Sequence, residues 1–294
     1  MRSLSGRLAV SAACALTLAA CGDSNSNTVA GGPPSEQVGA IGGTTRDEVE
    51  ASLNSLTLST TIEPLGAEAA SGVGSVGRPP CATPSSSTDS DGDGIPDDAN
   101  YLFTAPPCRF TGFRGSTLDI VGQIRIQDPT PTQAGFDFLA TLTSLRFTYT
   151  PTSGAAVYSV TRNGTRTLTG SVSGLQLVTD LQVARTFPGQ SDAAVDEKWT
   201  VTFTPENPLA INQPPPSGTL DVAGTLNWTR GTENLALTVS TPTPVHYNAG
   251  CTGDSRRIDG GEVRVNGTFG EVTGDVRIRW SQCGRDPEVR FIEG

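Results

Sequence analysis

Residues that usually carry catalysis are scarce in this chain of 294 residues. Histidine occurs once, at His246, and lysine occurs once, at Lys198. A nucleophilic triad normally needs a histidine base, and no Gly-x-Ser-x-Gly elbow accompanies His246. We therefore predict that the chain is not an enzyme. The alternative is a carbohydrate-active hydrolase or another envelope enzyme on a β scaffold, because paired carboxylates are non-local and invisible in a sequence.

Positive charge is also in short supply. The chain has 20 Lys and Arg against 30 Asp and Glu, which gives a net charge of −10. A protein with this balance has no electrostatic attraction for a phosphate backbone. The composition thus predicts that nucleic acid is not a partner.

Long apolar runs are missing, and the stretch from Leu8 to Ala20 is too short to span a bilayer. Arg2 and Arg7 precede it, as in the basic region of a secretory signal. The stretch ends in Leu18-Ala19-Ala20-Cys21. This tetrapeptide resembles the lipobox of bacterial lipoproteins, in which signal peptidase cuts before the cysteine.

The lipobox resemblance implies that residues 1–20 are a signal peptide and that Cys21 carries a lipid. The protein would then be a lipoprotein of the cell envelope, with the membrane as its partner. Asp directly after the lipidated cysteine is the usual inner-membrane retention signal, and Asp23 stands one place later. We therefore expect the outer membrane. The alternative is an ordinary cleaved signal in which Cys21 is incidental.

Four further cysteines survive signal cleavage, namely Cys81, Cys108, Cys251 and Cys283. An even set in an oxidising envelope indicates disulfides, and three pairings are possible. We favour Cys81–Cys108 and Cys251–Cys283 because each pair closes a short loop. Each bond would stabilise the fold by about 3–4 kcal/mol in the chain-entropy model. A zinc site is the alternative.

The chain after Cys21 divides into an arm and a body. Residues 21–80 are rich in Gly, Ser, Thr and Pro, which predicts a flexible, disordered tether. Thr45 and Glu48 form a capping box in pattern, and Val49 and Leu53 follow at helical spacing. We therefore predict a short helix at about residues 46–58 within the tether.

Residues 81–294 should form a disulfide-stapled β domain, because apolar residues there recur with a period of two. Leu118, Ile120, Ile124 and Ile126 share one face, and the phase slips near Thr143, which indicates a β-bulge. One-sided alternation favours antiparallel strands with one buried face. The predicted fold is all-β, an antiparallel meander closing into a barrel or a curved half-barrel, with a two-sheet β-sandwich as the alternative.

An acidic loop begins the body. Its candidate calcium ligands are Asp89, Asp91, Asp93, the carbonyl of Ile95, and Asp97, while Gly94 permits a sharp turn. The loop resembles the Asp-x-Asp-x-Asp-Gly loops of thrombospondin type 3 repeats over about ten residues. It departs from the EF-hand pattern because Asn100 replaces the bidentate acid, a role that Asp98 could supply. The alternative is a solvated acidic turn.

Together these features predict an envelope lipoprotein with a non-catalytic β domain that has a binding or structural role and is stabilised by calcium. Its ligand would be a lipid, a small molecule or another envelope protein. An apolar cavity would favour a lipid or small molecule.

Overall fold

A computed structural model describes residues 33–56, 85, 88–111, 117–151, 157–189, 191–251 and 257–294. Within these ranges the chain forms one helix, α1 (Ser35–Ser55), followed by strands. The strands are β1 (Asp98–Thr111), β2 (Thr117–Gln127), β3 (Phe138–Thr150), β4 (Tyr158–Ser171), β5 (Gly174–Thr186), β6 (Ala193–Pro205), β7 (Gly218–Arg230), β8 (Glu233–Tyr247), β9 (Ile258–Phe269), β10 (Val272–Trp280) and β11 (Glu288–Glu293).

The strands pair in chain order, each antiparallel to the next, in a single sheet. The predicted meander is therefore confirmed, and the two-sheet sandwich is wrong. Among the described residues β1 and β11 are edge strands that do not pair with each other, so the sheet stays open. Along β5 and β6 every second side chain is buried, which is the period-two pattern of a sheet with one covered face.

The slip in phase within β3 is a bulge. The register between β3 and β4 shifts between Leu142 and Leu145, and Ser144 has a φ of 48°. Gly122 on β2 faces this bulge with a φ of 121°, and an added Cβ would lie 2.4 Å from the Ser144 carbonyl oxygen. The predicted bulge near Thr143 is confirmed, and only glycine fits opposite it.

Helix α1 begins at Ser35 rather than at about residue 46. The short helix predicted within the arm is therefore present but begins about ten residues earlier than expected, while residues 21–32 and 57–80 of the arm lie outside the described residues. Val38 and Ile41 extend the buried stripe toward the N-terminus, with exposures of 9% and 0%. The glycines of this segment disfavour an isolated helix, so packing against the sheet holds it in shape.

The sheet curls around α1. Glu48 bonds to Arg162 on β4, whereas Gly42 packs directly against Val289 on β11. In a flat sheet these strands would be roughly 34 Å apart, because neighbouring strands are about 4.8 Å apart. A single helix about 10 Å wide can touch both only if the sheet wraps round it. The result is the curved half-barrel of the sequence prediction, with α1 inside it.

The disulfide Cys251–Cys283 is present, with 5.9 Å between the two Cα atoms. It ties the end of the β8 segment to the turn after β10, so the predicted pairing is confirmed for this bond. Cys108 is also disulfide-bonded, but Cys81 lies outside the described residues, so that pairing stays a prediction. No helix in the described part of the chain has the length and apolarity to cross a bilayer.

Candidate functional site

The acidic loop, residues 89–97, lies where three loops meet at one end of the sheet. The backbone NH of Gly135, in the β2–β3 loop, donates to Asp93 Oδ2 at 3.0 Å. The side-chain amide of Asn212, in the β6–β7 loop, donates to the Gly92 carbonyl at 2.7 Å. These contacts fix the loop from both sides, although they join residues far apart in the sequence.

Three carboxylates of the acidic loop converge. One oxygen from each of Asp89, Asp91 and Asp93 lies within 4.8 Å of the others. Gly92 and Gly94 both have positive φ and donate backbone hydrogen bonds to the two oxygens of Asp89, at 2.8 and 2.9 Å. Hard oxygen donors grouped in this way suit Ca²⁺, which takes six to eight oxygen ligands.

The electrostatics of this cluster favour a cation. Asp93 is only 4% exposed, and its burial raises its pKa, to which Asp91 and Asp128 add. Asp91 Oδ2 is shielded from solvent and receives no hydrogen bond. In the described part of the chain, no arginine or lysine pairs with Asp89, Asp91 or Asp93. A divalent cation would offset the repulsion and supply the missing partner.

The other predicted calcium ligands are Asp97, Asp98 and Ile95, and none of them belongs to the group of three converging carboxylates. Asp97 accepts hydrogen bonds from the Ser90 backbone NH and hydroxyl at 2.9 and 2.7 Å, so both of its oxygens face Ser90. Asp98 forms an exposed ion pair with Arg125 on β2. The Ile95 side chain is buried in the core, and its NH donates to Asp93 Oδ1 at 2.8 Å. Thus Asp89, Asp91 and Asp93 form the centre of the candidate site.

A small cavity lies beside the acidic loop, below the C-terminal end of α1. Its volume is about 40 Å³, and its walls include Leu56, Ile95, Phe138 and Leu168. Such a space has room for water but is far smaller than a site for an organic ligand, which needs about 300–1,000 Å³. With α1 in place, this cavity is not a lipid site.

A second candidate site is buried between α1 and the sheet. Glu48 is fully buried and accepts hydrogen bonds from three arginines of the sheet, an arrangement that we call the arginine cluster. The donors are Arg162 at 2.6 Å, Arg166 at 3.0 Å and Arg185 at 3.0 Å. Burial raises the pKa of Glu48, but the three arginines together hold that pKa below its ordinary value.

Glu197 on β6 is the other carboxyl in this interior. It is 0% exposed, and neither of its oxygens has a hydrogen-bond partner. Burial and the charge of Glu48 hold its pKa well above its ordinary value, against the opposing effect of Arg185, Arg162 and Arg166. Because Glu48 and Glu197 are both sealed from solvent, they do not form an open catalytic cleft.

The arginine cluster was missed in the sequence, although a signal existed. Arg185 stands in phase with the buried Leu181 and Val183 of β5, and Glu197 stands in phase with Val195 and Trp199. A charged residue in the buried phase of a strand is unusual, since buried charges need partners. The partner itself, Glu48, lies more than a hundred residues away from each arginine.

His246 lies on β8 between two carboxylates. Its Nδ1 is 2.5 Å from Asp259 Oδ1 on β9, and its Nε2 is 3.2 Å from Glu206 Oε1 in the β6–β7 loop. The hydrogen bond with Asp259, followed by the one with Glu206, raises the pKa of the imidazole above its ordinary 6.5. Both ring nitrogens therefore bond to acids rather than to a serine or cysteine.

We expect the single imidazole to titrate above pH 6.5 in the folded protein. Because its pKa is higher in the folded than in the unfolded state, its contribution to stability is present below pH 6.5 and lost as pH rises through the folded pKa. A proton NMR titration of His246 measures this value directly. Asp259→Asn should lower the midpoint more than Glu206→Gln does, and a parent midpoint at or below 6.5 would contradict the assignment.

Comparisons of the chain with protein-family models, curated proteins and solved structures found no match.

Proposed function

We propose that this chain is an envelope lipoprotein, anchored through a lipid on Cys21, with a non-catalytic β domain that has a binding or structural role. Calcium bound by Asp89, Asp91 and Asp93 stabilises the domain. The observation that carries the calcium part is the convergence of three carboxylates, and the buried Asp91 Oδ2, which has no hydrogen-bond partner, supports it. Calcium there would pin the start of the sheet to the β2–β3 and β6–β7 loops.

The anchor rests on different evidence. Arg2 and Arg7, the short apolar stretch and the small residues before Cys21 together resemble a lipoprotein signal. A cysteine that carries several acyl chains would hold the domain firmly on a membrane, since each buried CH₂ contributes about 0.8 kcal/mol. Asp23, one place beyond the usual retention position, favours the outer membrane.

Cys21→Ser is expected to move the protein from the membrane fraction to the soluble fraction, because the thiol is the site of lipidation. Detergent phase partitioning followed by immunoblotting measures the shift. Cys14→Ser is the matched control, since Cys14 lies within the signal peptide and should leave the anchor intact. If the Cys21→Ser protein still enters the detergent phase as the parent does, the anchor is not at Cys21.

A further inference from the structure

Helix α1 contacts the sheet as an amphiphilic ligand would, through one polar part and one apolar part. The centre of its polar part is one buried carboxylate, Glu48, which is held by arginines of β4 and β5 at 2.6–3.0 Å. At its edge Asp47 lies 3.4 Å from Arg185, and the Ser55 hydroxyl accepts a hydrogen bond from Arg166. Its apolar part is the stripe of buried residues on the same helix, including Val38, Ile41 and Val49. The cationic groups belong to the sheet, whereas the helix supplies the anion.

The arginines would remain in place if the helix left. Arg162, Arg166 and Arg185 stand on β4 and β5, which pair with each other along their whole lengths. Helix α1 precedes the sheet in the chain. The contacts described above between α1 and the sheet are made by side chains. The departure of α1 would therefore break no strand pairing. It would expose three cations on a concave apolar surface that includes Leu177, Leu181 and Phe203.

Helix α1 is also poorly suited to be a permanent core element. Gly39, Gly42 and Gly43 weaken it as an isolated helix, by about 1 kcal/mol each relative to alanine. A buried ion cluster is seldom more stabilising than apolar packing of the same volume. The interior thus combines a helix of low intrinsic stability with a strong anion site. This arrangement is expected where a segment of the chain competes with an external ligand for the same site.

We propose that the concave face of the sheet binds a long-chain fatty acid, with its carboxylate on Arg162, Arg166 and Arg185, and that α1 occupies this site as a replaceable plug. The proposal deepens the binding role proposed above and rests on it. The helix from Ser35 to Glu48 is roughly 20 Å long at about 1.5 Å per residue. An extended long acyl chain has a similar length and would fill the space that Val38 and Ile41 occupy while α1 is in place.

A reversible cross-link tests the plug. A Cβ added at Gly42 would lie 3.4 Å from the Cβ of Val289 on β11, close to the roughly 3.5–4.5 Å that a disulfide needs. In Gly42→Cys/Val289→Cys the oxidised protein should hold α1 in place, and the reduced protein should release it. The parent treated with the same reductant is the control, because reduction also opens Cys251–Cys283.

The probe is cis-parinaric acid, a fluorescent fatty acid, with its methyl ester as the uncharged match. We expect the parent and the reduced variant to bind the acid, and the oxidised variant to bind it at least tenfold more weakly. The ester should bind the parent at least tenfold more weakly than the acid. Arg166→Met should remove most of that difference, with circular dichroism confirming that it folds.

Three results would overturn the proposal: no acid binding by the parent and the reduced variant, equal binding by the oxidised and reduced variants, or equal binding of acid and ester. None of these bears on the anchor or on calcium. The parent could bind no parinarate while calcium still stabilises it and the Cys21→Ser variant still moves to the soluble fraction. In that case the anchor and the calcium site would stand, and only the fatty-acid site would be rejected.

Discussion

Replacing Glu48 with alanine is expected to lower the free energy of unfolding by about 3–5 kcal/mol, because it leaves three buried arginines without their shared carboxylate. Glu48 is 0% exposed, and the side chains of Arg162, Arg166 and Arg185 are at most 3% exposed. Water cannot replace the lost partner without opening the interior. Urea unfolding followed by circular dichroism gives the difference directly.

Two glutamates serve as controls for Glu48. Glu36 pairs with Arg230 at 3.0 Å but is 56% exposed, so Glu36→Ala should cost no more than about 1 kcal/mol. Glu197 is as deeply buried as Glu48 but has no hydrogen-bond partner, so Glu197→Gln should cost less than Glu48→Gln. A loss for Glu48→Ala no larger than that for Glu36→Ala would show that the arginine cluster does not hold α1.

Glu48 also makes the stability of the fold depend on pH in the acid range. The pKa of Glu48 is lower in the folded state than its ordinary 4.5. Its contribution to stability is therefore present above pH 4.5 and is lost as pH falls through the lower, folded pKa. Glu197, whose pKa is raised, acts in the opposite sense. Comparing acid unfolding of the parent, Glu48→Gln and Glu197→Gln separates the two contributions.

Calcium is expected to raise the melting temperature of the purified protein, by an amount that chelator reverses. Extracellular calcium modules have dissociation constants of about 10⁻⁴–10⁻³ M. At about a hundredfold excess over the dissociation constant, the gain in stability is about 2.7 kcal/mol, or roughly 5–10 °C for a domain of this size. Differential scanning calorimetry with calcium and with chelator measures it.

Variants of the acidic loop locate the ion. Asp91→Ala and Asp93→Ala remove two of the three converging carboxylates and should abolish the response to calcium. Asp98→Asn is the matched control, because this acid lies just beyond the loop but pairs with Arg125. A melting temperature that ignores calcium in the parent, or a response lost equally in Asp98→Asn, would contradict the site.

The sequence by itself predicted the features that depend on neighbours in the chain. Alternation along β2 predicted its buried face, and the phase slip near Thr143 predicted the bulge at Ser144. The Cys251–Cys283 bond followed from the short loop that it closes. Asp89, Asp91 and Asp93 are also close in the sequence, and a turn of five residues brings their carboxylates together.

Only the tertiary structure decided where α1 begins and what it touches. The segment from Ser35 has too many glycines to predict a helix from local preference, and it is helical because it packs inside the curled sheet. The arginine cluster joins Glu48 to residues more than a hundred positions away. Periodicity reports which face of a strand is buried, but only the path of the chain determines which charges meet there.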